Sequence, residues 1–211
     1  NKGTANCPDL SVRAVFGAGQ GPPRPPGSRR SRNLRRDTVD LTCYLALPQQ
    51  ADGAAFDAMM RNWRACGGRL HPGLLRAYQG DYPDWLRGVN DWSKGVGVGE
   101  AVPQTLFFLK SGAGDILGAA SIRHYLNHTN LIDGGHLAYG IAPAHRGKGY
   151  GTRILALALQ KMKEMGIRRV LITCDASNIP SQKVIRSGGG RLEHETLDED
   201  GVPIHRYWID N

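Results

Sequence analysis

Apolar residues along this chain recur at two different periods, and the switches between them outline its elements. Phe56, Met59, Met60 and Trp63 fall at helical spacing within residues 54–66, and Gly67-Gly68 stops the run. Trp85, Leu86 and Val89 predict a second helix over 84–92, with Pro83 near its start. Leu106-Phe107-Phe108-Leu109 is the centre of a strand over 104–110. Ser111-Gly112-Ala113-Gly114-Asp115 turns it into a strand over 116–124, so the two should pair as an antiparallel hairpin. A weaker strand pattern over 41–47 precedes them.

Beyond Gly135 strand and helix patterns alternate. A strand over 137–142 ends at Pro143, and a helix over 149–165 follows. That helix carries an apolar stripe of Ile154, Leu155, Ala158, Leu159, Met162 and Met165, and Gly166 stops it. Val170-Leu171-Ile172 centre a strand over 168–174, and a helix over 180–187 comes next. Strands over 190–196 and 203–209 close a hairpin around Asp200-Gly201. Strand, helix, strand in the middle implies one parallel crossover. The expected class is α+β (mixed α/β): a central mixed, mostly antiparallel sheet with helices on both faces.

The charge of +8 narrows the partners only after its distribution is read. Residues 1–40 hold eight basic side chains and three acidic ones, which is five of the eight excess positive charges. The stretch 17–36 is dense in Gly, Pro, Ser and Arg, too poor in apolar surface to offset its ordering entropy. Residues 1–38 therefore read as a disordered basic tail, and residues 39–211 as one folded domain. Nucleic acid is not an expected partner, because the excess charge belongs mainly to the tail. No apolar run approaches the ~20 residues of a membrane helix, and the opening segment lacks the apolar core of a secretory signal. No membrane partner and a cytoplasmic location are the expectations. Cys7, Cys43, Cys66 and Cys174 show no metal or disulfide spacing and should be reduced thiols.

Chemistry concentrates in residues 139–152, Tyr-Gly-Ile-Ala-Pro-Ala-His-Arg-Gly-Lys-Gly-Tyr-Gly-Thr. A strand runs through a glycine-rich turn directly into a helix. Such a turn lets backbone N–H groups approach a ligand, and the helix start adds unpaired donors and a positive dipole end. Together they suit a diphosphate. The phosphate loop GxxxxGK[ST] is absent, as is the dinucleotide fingerprint GxGxxG. The pattern present is Arg-x-x-Gly-x-Gly at Arg146, Gly149 and Gly151.

Arg-x-x-Gly-x-Gly after a strand ending in Ile141-x-Pro143 resembles the acetyl-CoA motif of GNAT N-acetyltransferases. The downstream order strengthens the resemblance: a strand into Asp175-Ala176-Ser177-Asn178, a helix near Pro180, then Gly188-Gly189-Gly190. The resemblance is strong over 136–190 and extends in strand order over 104–210. A finer likeness to an uncharacterised bacterial GNAT group runs through Gly80-Asp81-Tyr82 and Ile122-Arg123-His124. The resemblance implies acetyl transfer from acetyl-CoA, as co-substrate, to a primary amine by direct attack in a ternary complex. It places the pyrophosphate on the backbone of Arg146, Gly147, Lys148, Gly149, Tyr150, Gly151 and Thr152. Ile141 and Ala142 would pair with the pantetheine arm, Asn178 would bond it, and the Ile141 amide would polarise the thioester carbonyl. The tyrosine these enzymes often place seven residues after the asparagine is Ile185 here.

Two residues near the reacting strand are candidates for acid–base work, His136 and Tyr139. Asp81, Tyr82, Trp85 and His124 are candidates for the acceptor side, where an acidic, aromatic wall would suit a cationic amine. The acceptor is expected to be a small molecule or a peptide bearing an amine. No metal is expected, since His124, His128 and His136 lack a supporting carboxylate pattern. Oligomeric state is open, with a homodimer among the options. A non-catalytic sensor that holds acyl-CoA remains the alternative, on account of Ile185.

Overall fold

The computed structural model describes residues 42–67 and 69–211. The expectation of a disordered tail over 1–38 lies outside the described residues, as do Leu41 of the first predicted strand and Cys7. Four strands, β1 (Tyr44–Ala46), β2 (Gln104–Lys110), β3 (Ile116–Arg123) and β4 (Leu137–Ile141), form one sheet in that order. The other three, β5 (Arg169–Asp175), β6 (Arg191–Leu197) and β7 (Pro203–Asp210), form a second sheet in the order β5-β7-β6. Every ladder among the described residues is antiparallel. The single mixed sheet expected from the sequence is thus divided. The parallel crossover strands, β4 and β5, meet at one end only.

Among the described residues there are five helices: α1 (Gly53–Cys66), α2 (Tyr82–Ser93), α3 (His128–Ile132), α4 (Tyr150–Glu164) and α5 (Ile179–Ser187). Helix α1 buries Phe56, Met59, Met60 and Trp63, the four residues its spacing singles out. Helix α2 starts two residues earlier than the apolar pattern alone suggests. Its cap supplies the reason: the Asp81 carboxylate accepts from the Asp84 N–H at 2.8 Å. Helix α4 buries Ile154, Leu155, Ala158 and Met162, whereas Met165 lies just past its end and is exposed. The short helix α3 has no apolar stripe and was not legible as a helix.

Alternation along β2 sorts the core into two layers. Leu106 and Phe108 join the cluster of α1 and α2, while Phe107 and Leu109 join that of α4 and α5. The first layer is aromatic: the Phe56 ring stacks at 4.3 Å on Trp85 and meets Tyr78 edge-on at 4.9 Å. Among the described residues no helix is long and apolar enough to cross a membrane.

The two sheets are fastened at the start of β4. The His136 N–H donates to the Leu171 carbonyl at 2.7 Å, and the Leu171 N–H donates to His136 Nδ1 at 2.9 Å. Just before it, Thr173 Oγ1 accepts from the Gly134 N–H at 2.9 Å and donates to Asp133 at 3.0 Å. Arg123 donates to the carbonyls of Gly134 and Gly135 at 2.8 and 2.9 Å. Gly135 permits the close approach. Its φ is +55°, and a Cβ there would sit 2.3 Å from the Leu171 oxygen. Past this clasp the strands separate, and a cleft opens between them.

Two expectations follow. Gly135→Ala should lower stability by about 1–3 kcal/mol through the clash with Leu171, read as a lower urea midpoint. An unchanged midpoint would contradict the clasp. His136→Ala should cost about 1–3 kcal/mol by leaving the buried Leu171 N–H without its acceptor. Burial, then the nearby Arg123 charge, holds the His136 pKa below its ordinary 6.5. A folded-state pKa below the unfolded one means the associated stability is complete above pH 6.5 and is lost as pH falls through the lower folded value. Thermal melts should therefore show a shallower acid loss in His136→Ala than in the natural chain, and equal slopes would contradict it.

Candidate active site

Strand β4 presents alternate amides to the cleft. The Arg123 N–H bonds the His136 carbonyl and the Ala142 N–H bonds the Leu117 carbonyl, so the even-numbered residues of β4 face β3. By alternation the N–H groups of Tyr139 and Ile141 face the gap toward β5. An extended ligand arm lying there would meet strand-like donors, as the sequence suggests for Ile141.

Beyond Ala142 the chain makes one tight helical turn, Pro143–His145, and then the glycine loop. Gly147 and Gly149 have φ of +75° and +85°, values that side chains with a Cβ rarely adopt. Gly149 is the residue that opens α4, and no side chain caps it. The first N–H groups of α4, from Tyr150, Gly151 and Thr152, therefore have no side-chain cap at the mouth of the loop. With the positive end of the helix dipole they form an anion-binding cradle. Gly151 has a different role from the open phosphate approach expected of it. Its missing Cβ would lie 3.2 Å from Val184, so it lets α4 pack against α5. Arg146 does not reach outward freely. Its Nε donates to the Ile141 carbonyl at 3.0 Å, and its guanidinium lies 5.7 Å from the Trp63 ring centre. It braces the loop against β4. The Lys148 side chain stays on the loop, where its charge helps keep the neighbouring His145 pKa low, after burial.

The cleft between the sheets holds about 480 Å³. One wall is Leu137, Ala138 and Tyr139 of β4, and the other is Thr173, Cys174 and Asp175 of β5. Asn178 and Ser181 close one end, with Asn178 capping α5 through its bond from the Ser181 N–H at 3.1 Å. The Tyr139 hydroxyl lies 3.4 Å from that of Ser181, and burial pushes the phenol up to about 12. Burial also pushes the Cys174 thiol up to about 11, which leaves it protonated and a poor nucleophile at neutral pH. Ile185 is fully buried in the core behind the cleft. Among the described residues no group of acids, histidines and cysteines is arranged to hold a metal ion.

Several residues singled out from sequence lie elsewhere. His136 is 8% exposed, and its Nδ1 lone pair is taken by the Leu171 N–H. A neutral ring in that position carries its proton on Nε2, so no lone pair is left to accept one from an amine. Tyr82 and Trp85 belong to the aromatic layer rather than the cleft wall. The Tyr82 hydroxyl donates to the Gln49 carbonyl and the Trp85 indole to the Leu74 carbonyl. Asp81 is spent on its helix cap. His124 pairs with Thr105 at 2.8 Å, and none of these four lines the cleft. Sequence reasoning missed the segment that does line it, Arg69, His71 and Arg76 around a short turn over Gly73–Ala77. The available signal was a run of basic residues between Gly67 and Tyr78 with no helical or strand period.

No curated protein matches the sequence. The chain resembles an enzyme from Salmonella typhimurium that acetylates the N-terminal serine of ribosomal protein L7/L12, at 16% identity and a TM-score of 0.58 over 81% of this chain and 96% of that one. It resembles Mycobacterium smegmatis RimJ, solved with CoA-disulfide, at 19% identity and a TM-score of 0.58 over 79% of this chain and 80% of that one. Salmonella typhimurium yncA, solved with its cofactor acetyl-CoA, matches at 14% identity and a TM-score of 0.54, over 80% of this chain and 94% of that one. At these identities the likeness is one of fold. The sequence itself matches the model of the acetyltransferase (GNAT) family over residues 68–189, more than half its length, and the chain belongs to that family.

Proposed function

We propose that this protein transfers an acetyl group from acetyl-CoA to a primary amine within the β4–β5 cleft. The observation that carries the reading is the continuity of donors from the gap-facing Ile141 amide to the uncapped start of α4. That path suits an extended thioester arm ending in a pyrophosphate, held by residues 146–152. Asn178 and Ala142 border the arm. A domain spanning 39–211 would suffice for the reaction.

In this reading the amine nitrogen attacks the thioester carbonyl carbon, a C–N bond forms, and the C–S bond breaks. The Ile141 N–H is placed to bond the carbonyl oxygen as it gains negative charge. The Tyr139 and Ser181 hydroxyls are placed to solvate the leaving sulfur, and the proton released by the amine exits through the open cleft to water. His136 contributes by fastening the sheets, not by taking the proton. Proximity and orientation then supply most of the acceleration. Structural neighbours that acetylate a protein N-terminus or spermidine and spermine support an amine acceptor, either peptide or small molecule. A second reading, an acyl-CoA sensor without turnover, draws on the buried Ile185 at the position where these enzymes often place a tyrosine.

Acetyl-CoA at about 100 times its dissociation constant should stabilise the native chain by about 2.7 kcal/mol. Gly149→Val should remove that thermal shift and also lower the unliganded melting temperature, because a valine cannot adopt φ near +85° without about 1–3 kcal/mol of strain. A natural chain with no shift would count against the assignment. Release of free CoA in the presence of an amine panel separates the enzyme from the sensor.

A further inference from the structure

The cleft is lopsided in charge, and the wall built by the segment between α1 and α2 is cationic. Arg69, His71 and Arg76 all line it, carried by the segment that crosses over β4. The segment is firmly seated. A Cβ on Gly140 of β4 would lie 2.6 Å from the His71 carbonyl oxygen, so the backbone of residue 71 rests directly on the strand beside Ile141. Gly73 gives Arg76 its course: a Cβ there would lie 2.9 Å from the Arg76 guanidinium, which folds back over the turn.

Among the described residues neither Arg69 nor Arg76 forms an ion pair, although Arg87, Lys110, Lys161 and Arg206 each do. The three groups also feel one another. Arg69 lowers the Arg76 pKa, after burial does, and both arginines lower that of His71, again after burial, with Asp175 opposing them and Arg146 adding to them. His71 stays open to solvent through the cleft, yet protein surrounds it on most sides, which accounts for its desolvation. Two arginines held together without an ion-paired acid cost free energy unless a ligand supplies the opposite charge. The acids that line the cleft, Asp133, Asp175 and Asp198, come from the other sheet and from the turn before β4. Asp133 and Asp198 are engaged locally, with Thr173 and with the backbone of the β6–β7 turn respectively.

We infer that Arg69, His71 and Arg76 form a subsite for an anionic group of the acceptor, so that the preferred substrate is an amine that also carries a carboxylate or a phosphate. This rests on the acetyl-transfer reading and gives it a substrate class. The amine end would lie toward β4 and the thioester, and the anion under the 69–77 segment. Arginine guanidinium groups suit either anion through paired N–H donors. A plain polyamine would meet repulsion on that side.

Matched acceptors that differ only in the anion test it, with CoA release as the readout. Alanine is set against alaninamide for a carboxylate, and O-phosphoethanolamine against ethanolamine for a phosphate. The anionic member of at least one pair should have kcat/KM about 10- to 100-fold higher, the size expected of a charge-assisted contact. Arg69→Gln and Arg76→Gln should erase most of that difference through KM while the acetyl-CoA dissociation constant stays unchanged. Neutral members that react as well as their anionic partners would overturn the inference. So would arginine variants that weaken acetyl-CoA binding instead, since the cations would then serve the CoA phosphates. If no amine reacts, calorimetric titration of O-phosphoethanolamine and alanine into the CoA-bound protein decides. Saturable binding lost in Arg76→Gln upholds the subsite, and its absence overturns it. Acetyl-CoA binding, measured separately, tells whether the broader reading falls with it.

Discussion

Everything in the site depends on two strands held together at one end and kept apart at the other. The clasp is small: a backbone bond from His136 to Leu171, a return bond from Leu171 to the His136 ring, and a glycine that lets the chains touch. Sheet hydrogen bonding is cooperative along a ladder, so strands that begin paired would ordinarily stay paired. Here β4 and β5 belong to different sheets, and each is saturated on its far side by its own antiparallel neighbour, β3 or β7. What remains between them is a row of β4 amides with no strand to meet. That is an unusual cost for a fold to carry, and a ligand that mimics a strand would relieve it.

The same geometry explains why the glycine loop sits where it does. Strand β4 ends at Ile141, and Arg146 folds back to hold the Ile141 carbonyl, which sets the angle at which α4 leaves. Helix α4 then packs its Ile154, Leu155, Ala158 and Met162 face on the first sheet, so the helix start is fixed over the open end of the gap. Positioning comes from the core and binding comes from backbone groups. This division lets a loop with almost no side-chain chemistry define the site.

Local patterns carried the elements well, because helix and strand periods depend on which face is buried. The α1 and α4 stripes and the β2–β3 hairpin are legible for that reason. The division into two sheets was not legible, since it depends on pairing between residues 35 apart, His136 and Leu171. The places of Tyr82 and Trp85 were not legible either. Tyr82 and Trp85 combine polar tips with large apolar bodies, and only the packing around Phe56 shows that the bodies decide. His136 lies just before β4, but its ring faces the neighbouring strand. Arg69, His71 and Arg76 carry no period at all, and their convergence appears only once the 69–77 segment is laid across β4.

The central claim is that the gap-facing amides of β4 receive the thioester arm. Amide chemical shifts and hydrogen exchange of Tyr139 and Ile141, followed by NMR as acetyl-CoA is added, test it most directly. The account predicts large shifts and slowed exchange at Ile141, together with shifts at Gly149 to Thr152, while the β3-facing amides of Ala138 and Gly140 change little. Saturation with acetyl-CoA that perturbs the α4 start but leaves Tyr139 and Ile141 untouched would contradict it.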